Sequence, residues 1–182
     1  MIPAIGFCIH LRRLRQEQRT SKKYARTIGD YDCYWNRTKI PELSGQMVER
    51  GGPGDNTKAV GDKNDRRIKA GVYPLGIHDG TKFKSIGYVI NENHAAMPRP
   101  GILLKKTHER TVVLIHPGMD YVWSKGCINP ASGLVNANSA ISYSDSRARV
   151  IAIIDYIKSK VTIPVGKEPE IPECVIFIEG EP

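Results

Sequence analysis

Within "VVLIHPGMDYVWSKGCINP", residues 112–130, an apolar run ends in His116, and a cysteine, Cys127, follows eleven positions later. A cysteine nucleophile needs a base or positive charge that favours the thiolate, access to substrate, and donors aimed at the oxygen that becomes negative during attack. The stretch can supply all three. His116 at a strand end is a fixed imidazole able to take the thiol proton near neutrality. Gly126 lets the backbone turn tightly, so that the amides of Gly126 and Cys127 can face one small space, an oxyanion hole, and Gly118 leaves room for a substrate chain. The residues alone equally admit a core thiol and a hydrogen-bonded histidine.

Positioning such a pair calls for strands, and the chain reads as strand after strand separated by glycine, proline, asparagine and aspartate. Strands are expected at 27–35, 44–50, 71–78, 85–91, 101–106, 111–116 and 174–180, with a hairpin turn at 106–111. The polar, glycine-rich segment 50–67 is expected to be a long surface loop, with Glu49, Arg66 and Arg67 on a solvated face. One helix is expected over 144–160, where Val150, Ile151, Ile154 and Ile157 recur at helical spacing, capped by Ser144 or Asp145 and closed by Lys158 and Lys160. The fold class is therefore mainly β with one principal helix (α+β).

Length and a hydrophobic content of 40% fit one ordinary domain with a real core. No stretch approaches the roughly 18 consecutive apolar residues of a membrane span, so a soluble or peripherally attached protein is expected. The opening "MIPAIGFCIHLRRLR" places its arginines after a short apolar segment, the reverse of a secretory signal, and no signal peptide is read. Residues 1–26 hold seven cations against Glu17 and so carry +6 of the chain's net +8. They read as a basic N-terminal arm ahead of a domain at 27–182. Such an arm suits an anionic polymer, a partner or nucleic acid, or is merely solvated, and it lacks the interleaved aromatics of single-strand binders. Cys8, Cys33, Cys127 and Cys174 form no C-x-x-C pair, so no metal site is expected, and Cys8 and Cys174 read as buried thiols.

Taken together, "IHPG" and "SKGCIN" resemble the signature of the L,D-transpeptidase catalytic domain, the YkuD-type fold. There a strand-end His-Gly element precedes Ser/Thr-His-Gly-Cys-apolar-Asn, and Ser124, Gly126, Cys127, Ile128 and Asn129 match that second block in register. "IKAGVYPL" at 68–75 looks like the strand placed before the active-site region. The likeness covers roughly 27–135 and is most similar to compact relatives from phage and secretion-associated settings.

The resemblance implies an L,D-transpeptidase-like β-sandwich or barrel of antiparallel strands, with Cys127 as nucleophile, His116 as base, and Gly126 and Cys127 amides as oxyanion donors. A backbone carbonyl near Pro117 would orient the imidazole. Lys125, Ser124, Asn129, Gly118 and Trp123 are the candidate substrate-side residues, Ser124 and Asn129 chiefly as braces of the loop; Trp123 and Tyr121 either line an acyl-donor groove or pack. The implied activity is acyl transfer on peptidoglycan stem peptides, by transpeptidation or by carboxypeptidase or endopeptidase hydrolysis, with no cofactor. A secretion or immunity partner and action in the periplasm or cell wall after non-classical delivery from a bacterial or phage source complete the expectation.

Two departures stand out: Lys125 replaces the family histidine before Gly-Cys, and the His116–Cys127 loop is short. His108 lies at the more usual distance from Ser124 but in the predicted turn, so His116 is preferred. Rival readings are a catalytically silent binding module, a nucleic-acid or anionic-polymer binder working through the arm, and a toxin using the same fold on another substrate.

Overall fold

A computed structural model describes residues 2–59, 61 and 64–182. Its chain order is β1 (Phe7–Glu17), β2 (Arg26–Trp35), β3 (Thr38–Arg50), β4 (Gly71–Gly76), β5 (Phe83–Lys84), β6 (Arg99–Pro100), β7 (Ile102–Leu104), β8 (Leu114–Ile115), β9 (Asn129–Ala131), α1 (Tyr143–Lys160) and β10 (Glu170–Glu179). Eight strands form one sheet in the order β8-β7-β4-β10-β1-β2-β3-β9. All its neighbours are antiparallel except β1 and β10. The small pair β5–β6 stands apart.

The sheet nearly closes on itself. Ile115, at the end of β8, bridges Ile128, just before β9, in parallel. The His116 amide donates to the Ile128 carbonyl at 3.0 Å, and the Ile128 amide to the Leu114 carbonyl at 2.8 Å. Closing a sheet removes two exposed edges that would otherwise invite pairing with other chains. The protein is thus mainly β, mostly antiparallel and barrel-like, with one helix, the expected class.

Alternation supplies the core. Phe7, Ile9 and Leu11 of β1 meet Tyr31 and Cys33 of β2, Met47 of β3, Leu75 of β4 and Ile176 and Ile178 of β10 in one buried cluster. Val150, Ile153, Ile154 and Ile157 of α1 join it. Burial of each such side chain stabilises the fold by roughly 1.5–3 kcal/mol. The helix cap differs from the expected Ser144 or Asp145. Ser142, in extended geometry, accepts the Asp145 amide, while the Asp145 carboxylate pairs with Arg149 at 3.0 Å.

Three other expectations change. The basic arm at 1–26 is no arm: its residues 7–17 form β1, between β10 and β2 in the middle of the sheet. Most of its cations pair with acids: Arg12 with Asp32, Arg13 with Glu49 and Glu181, and Arg19 and Lys22 with Asp120, all outside the segment, and Arg26 with its own Glu17. Residues 85–91 are not a strand. Arg147 takes the Val89 and Ile90 carbonyls, groups a partner strand would need, and Ile86 and Ile90 face solvent.

Segment 50–67, of which residues 60, 62 and 63 lie outside the described residues, is not wholly on the surface. Asn56, Asn64 and Arg67 are buried, as is Glu49 just before it; Arg66 alone of the expected solvated trio is exposed. Among the described residues no helix is long and apolar enough to cross a membrane.

Candidate functional site

The site lies at the seam where the two ends of the sheet meet. Side chains alternate along a strand and partners in a parallel bridge share a face. Ile115 and Ile128 therefore point together into the main core, and Leu114, His116, Cys127 and Asn129 all stand on the opposite face. The ladder ends in sulfur: Cys127 Sγ accepts the Leu114 amide at 3.4 Å and lies 3.7 Å from the Val112 carbonyl, to which the thiol donates.

His116 is fixed on every side. Its Nδ1 donates to the Pro117 carbonyl at 2.8 Å, its ring packs 4.4 Å from that of Phe83, and Asn129 Nδ2 donates to its backbone carbonyl at 3.0 Å. The tautomer follows from that network: Nδ1 carries the proton and Nε2 is left as the basic nitrogen. This is the carbonyl-oriented imidazole expected from the sequence.

Burial governs the protonation of both groups. It presses His116 down to about 4, helped by Arg99 and opposed by the Pro117 bond. It pushes the Cys127 thiol up to about 11, against the opposing pull of the Leu114 amide and the Arg110 guanidinium. At neutral pH the resting pair is a neutral thiol and a neutral imidazole, and no hydrogen bond joins them among the described residues. Cys127 is nevertheless half-buried, whereas Cys8, Cys33 and Cys174 are buried outright. Neither the Gly126 nor the Cys127 amide has an acceptor among the described residues.

The other candidates fall into two groups. Ser124 Oγ donates to the Cys127 carbonyl at 2.8 Å and braces the loop. Lys125 is exposed and reaches only Asp65, at 3.5 Å. Trp123 is half-buried, edge-on to Tyr143 and beneath the Arg99 guanidinium.

Asn129 braces the loop, and Gly118 packs against it. Asn129 is fully buried, its Oδ1 accepting the Trp123 amide at 3.1 Å. Gly118 is buried too; a Cβ there would overlap the Asn129 side chain, so the missing side chain makes room for Asn129. Its amide donates to Ser146 Oγ at 2.8 Å, which ties the His116 segment to the first turn of α1. Tyr121 is also buried and donates to the Glu17 carbonyl at 2.6 Å, a packing role. His108 sits exposed in the turn between β7 and β8.

No family model, curated protein or solved structure matches the chain.

One group at the seam had no reading from sequence. Arg110 is fully buried beside Gly126, where a Cβ would overlap its Nη2, and Gly54, where a Cβ would overlap its Nη1. Its Nη2 donates to the Arg66 carbonyl, its Nη1 reaches Asn64 Oδ1 at 3.4 Å, and its Nε has no partner. The signal available in sequence was slight: two glycines far apart that clear space for one guanidinium.

Proposed function

We propose that the protein is a cysteine acyl-transfer enzyme of L,D-transpeptidase type, acting on an amide of a peptidoglycan stem peptide through a thioester on Cys127. The observation that carries the reading is the seam. It holds a half-buried thiol and a carbonyl-oriented imidazole on one face of two bridged segments, with two free amides at the thiol. In the reaction the Cys127 proton passes to His116 Nε2 and the thiolate attacks the scissile carbonyl carbon. The resulting oxyanion is held by the Gly126 and Cys127 amides. Collapse breaks the C–N bond, the leaving amine takes the proton from His116, and a thioester remains. An acceptor amine or water then attacks, gives its proton to His116, and releases product as the thiol re-forms.

Purified sacculi or stem-peptide dimers incubated with wild type and with Cys127→Ala, and read by mass spectrometry, test this directly. New cross-linked, exchanged or trimmed peptides are expected with wild type only. Identical profiles from the two proteins would remove the enzyme reading.

The neutral resting pair favours a second reading, a silent binding module that keeps the fold to grip cell-wall peptide. That reading predicts peptide binding by both proteins with no new product from either.

A further inference from the structure

Of the three arginines with no exposed surface, two have a carboxylate; the nearly buried Arg99 and Arg147 have carbonyl partners and none among the described residues. Arg26 Nη2 pairs with Glu17 at 2.6 Å and Arg67 Nη2 with Glu181 at 2.6 Å. Arg13, whose side chain is also buried, pairs with Glu49 at 2.7 Å and with Glu181 at 2.9 Å. Arg110 has no carboxylate within 4.0 Å among the described residues; its contacts are a carbonyl and an amide oxygen. A buried cation without a counter-charge is costly, and an anion formed beside it would be stabilised. The group it lies against is the turn of the nucleophile: Gly126, at φ +105°, leaves the space in which the guanidinium rests, one residue before Cys127.

We propose that Arg110 is the counter-charge for the anion formed at Cys127, holding the thiolate beside its buried guanidinium. This inference rests on the reading of Cys127 as nucleophile. It assigns to a residue distant in sequence the stabilising role that the local Ser-Lys-Gly-Cys stretch leaves open. The step is a proton transfer alone: the S–H bond breaks, its electron pair stays on sulfur, and the proton goes to His116 Nε2. Arg110 exchanges no proton; it lowers the energy of the charged product.

The other charged or titratable groups facing this pair are His116 on the same face as the thiol, Arg99 beside His116, Lys125 next to Gly126, Asp65, which Lys125 contacts, and Glu49 and Tyr73, which act on Arg110. Arg110 differs from Lys125 in being buried and immobile, so its field is less screened by water. The opposing pull of Arg110 on the Cys127 thiol noted above agrees with this assignment.

The test is the pH profile of Cys127 alkylation by iodoacetamide, mapped by mass spectrometry in wild type, Arg110→Gln and Arg110→Lys. The expected result is a midpoint about one pH unit higher in Arg110→Gln, hence about tenfold slower alkylation below it, with Arg110→Lys in between. Equal midpoints in wild type and Arg110→Gln, or no rescue by lysine, would overturn the proposal.

A second measurement needs no change at Arg110 and decides the matter if those variants do not fold. In Lys125→Gln, the iodoacetate-to-iodoacetamide rate ratio at Cys127 is expected to exceed that of free cysteine several-fold, because the field of Arg110 favours the anionic reagent as it nears the thiol. A ratio at or below that of free cysteine counts against Arg110. Stem-peptide turnover is a separate readout. Its absence with a normal Arg110 effect sinks only the substrate reading, and turnover with a null Arg110 effect sinks only this inference.

Discussion

Two adjoining groups of arginines, which meet where Arg110 donates to the Arg66 carbonyl next to Arg67, are buried under opposite terms. Where β1, β2 and β3 meet the C-terminal residues, Arg13, Arg26 and Arg67 each face a carboxylate, and Arg13 Nη2 also donates to the Ile68 carbonyl at 2.6 Å. Burial would press Arg13 down, yet Glu49 and Glu181 more than reverse it and its affinity for the proton is raised. At the seam, burial presses Arg110 down, and the opposing pull of Cys127, Glu49, Tyr73 and Asp65 does not reverse it. The lesson is that burial sets the cost of a charge, while the partner decides whether that cost is already met in the folded protein. The first group is closed on itself; the second holds a positive charge without a carboxylate in contact.

Removing a carboxylate from the paired group has the largest expected effect. Glu49→Ala strands Arg13 without one of its two acidic partners and is expected to cost about 3–5 kcal/mol in urea unfolding. The paired replacement Arg13→Met with Glu49→Leu, which buries no charge, is expected to recover most of that loss. Arg110→Met removes a charge that has no carboxylate to strand and is expected to cost much less than Glu49→Ala. Equal losses from the two would mean that the two groups do not differ.

Next in size is a pH effect confined to the seam. The His116 imidazole is depressed to about 4 in the fold, against 6.5 for the free group. Between those values the unfolded chain binds the proton and the folded one does not, so stability rises with pH through this window. It is complete above about 6.5 and is lost as pH falls toward 4. The full difference is roughly 3 kcal/mol. Urea unfolding at pH 4.5 and 7 should show a drop in that direction for wild type and a markedly smaller one for His116→Gln. An equal drop in both would assign the slope to other groups.

Gly126→Ala comes third. The residue sits at φ +105°, a conformation that side chains rarely adopt, and a methyl there overlaps the Arg110 guanidinium. A loss of about 1–3 kcal/mol is expected from the backbone alone. Gly54→Ala has no positive φ yet also meets Arg110, so a thermal melt of both variants separates the backbone cost from the crowding of Arg110.

How much of this was legible in the sequence depended on the range of the forces involved. The helix was readable because Val150, Ile154 and Ile157 repeat at a local period. β10 and the His116 strand were readable from short apolar runs, and the Cys127 turn from Gly126. β1 was hidden because Arg12, Arg13 and Arg15 look like a solvated run, and the acids that let Arg13 enter the sheet lie 36 and 168 residues away. Strand 85–91 failed for a similar reason, since Arg147, from α1, takes its carbonyls. Arg110 was illegible because its meaning depends on Gly54, Arg66 and Gly126 meeting in space. The closure through Ile115 and Ile128 depends on non-local pairing in the same way.

The smallest expected effect belongs to Lys125, the cation that sequence alone sets nearest the thiol. Its side chain is 71% exposed and its contact with Asp65 is 3.5 Å long. An exposed pair of this kind adds little, because water screens it and two side chains must be held still to make it. Lys125→Gln is therefore expected to change unfolding stability by no more than about 0.5 kcal/mol. It should shift the Cys127 alkylation midpoint far less than Arg110→Gln does, and its small effect should fade as ionic strength rises. A Lys125→Gln shift as large as that of Arg110→Gln, and one that salt abolishes, would move the active charge from the buried guanidinium to the solvated ammonium. The seam would then depend on its surface charge, and its buried arginine would be left without a role at the thiol.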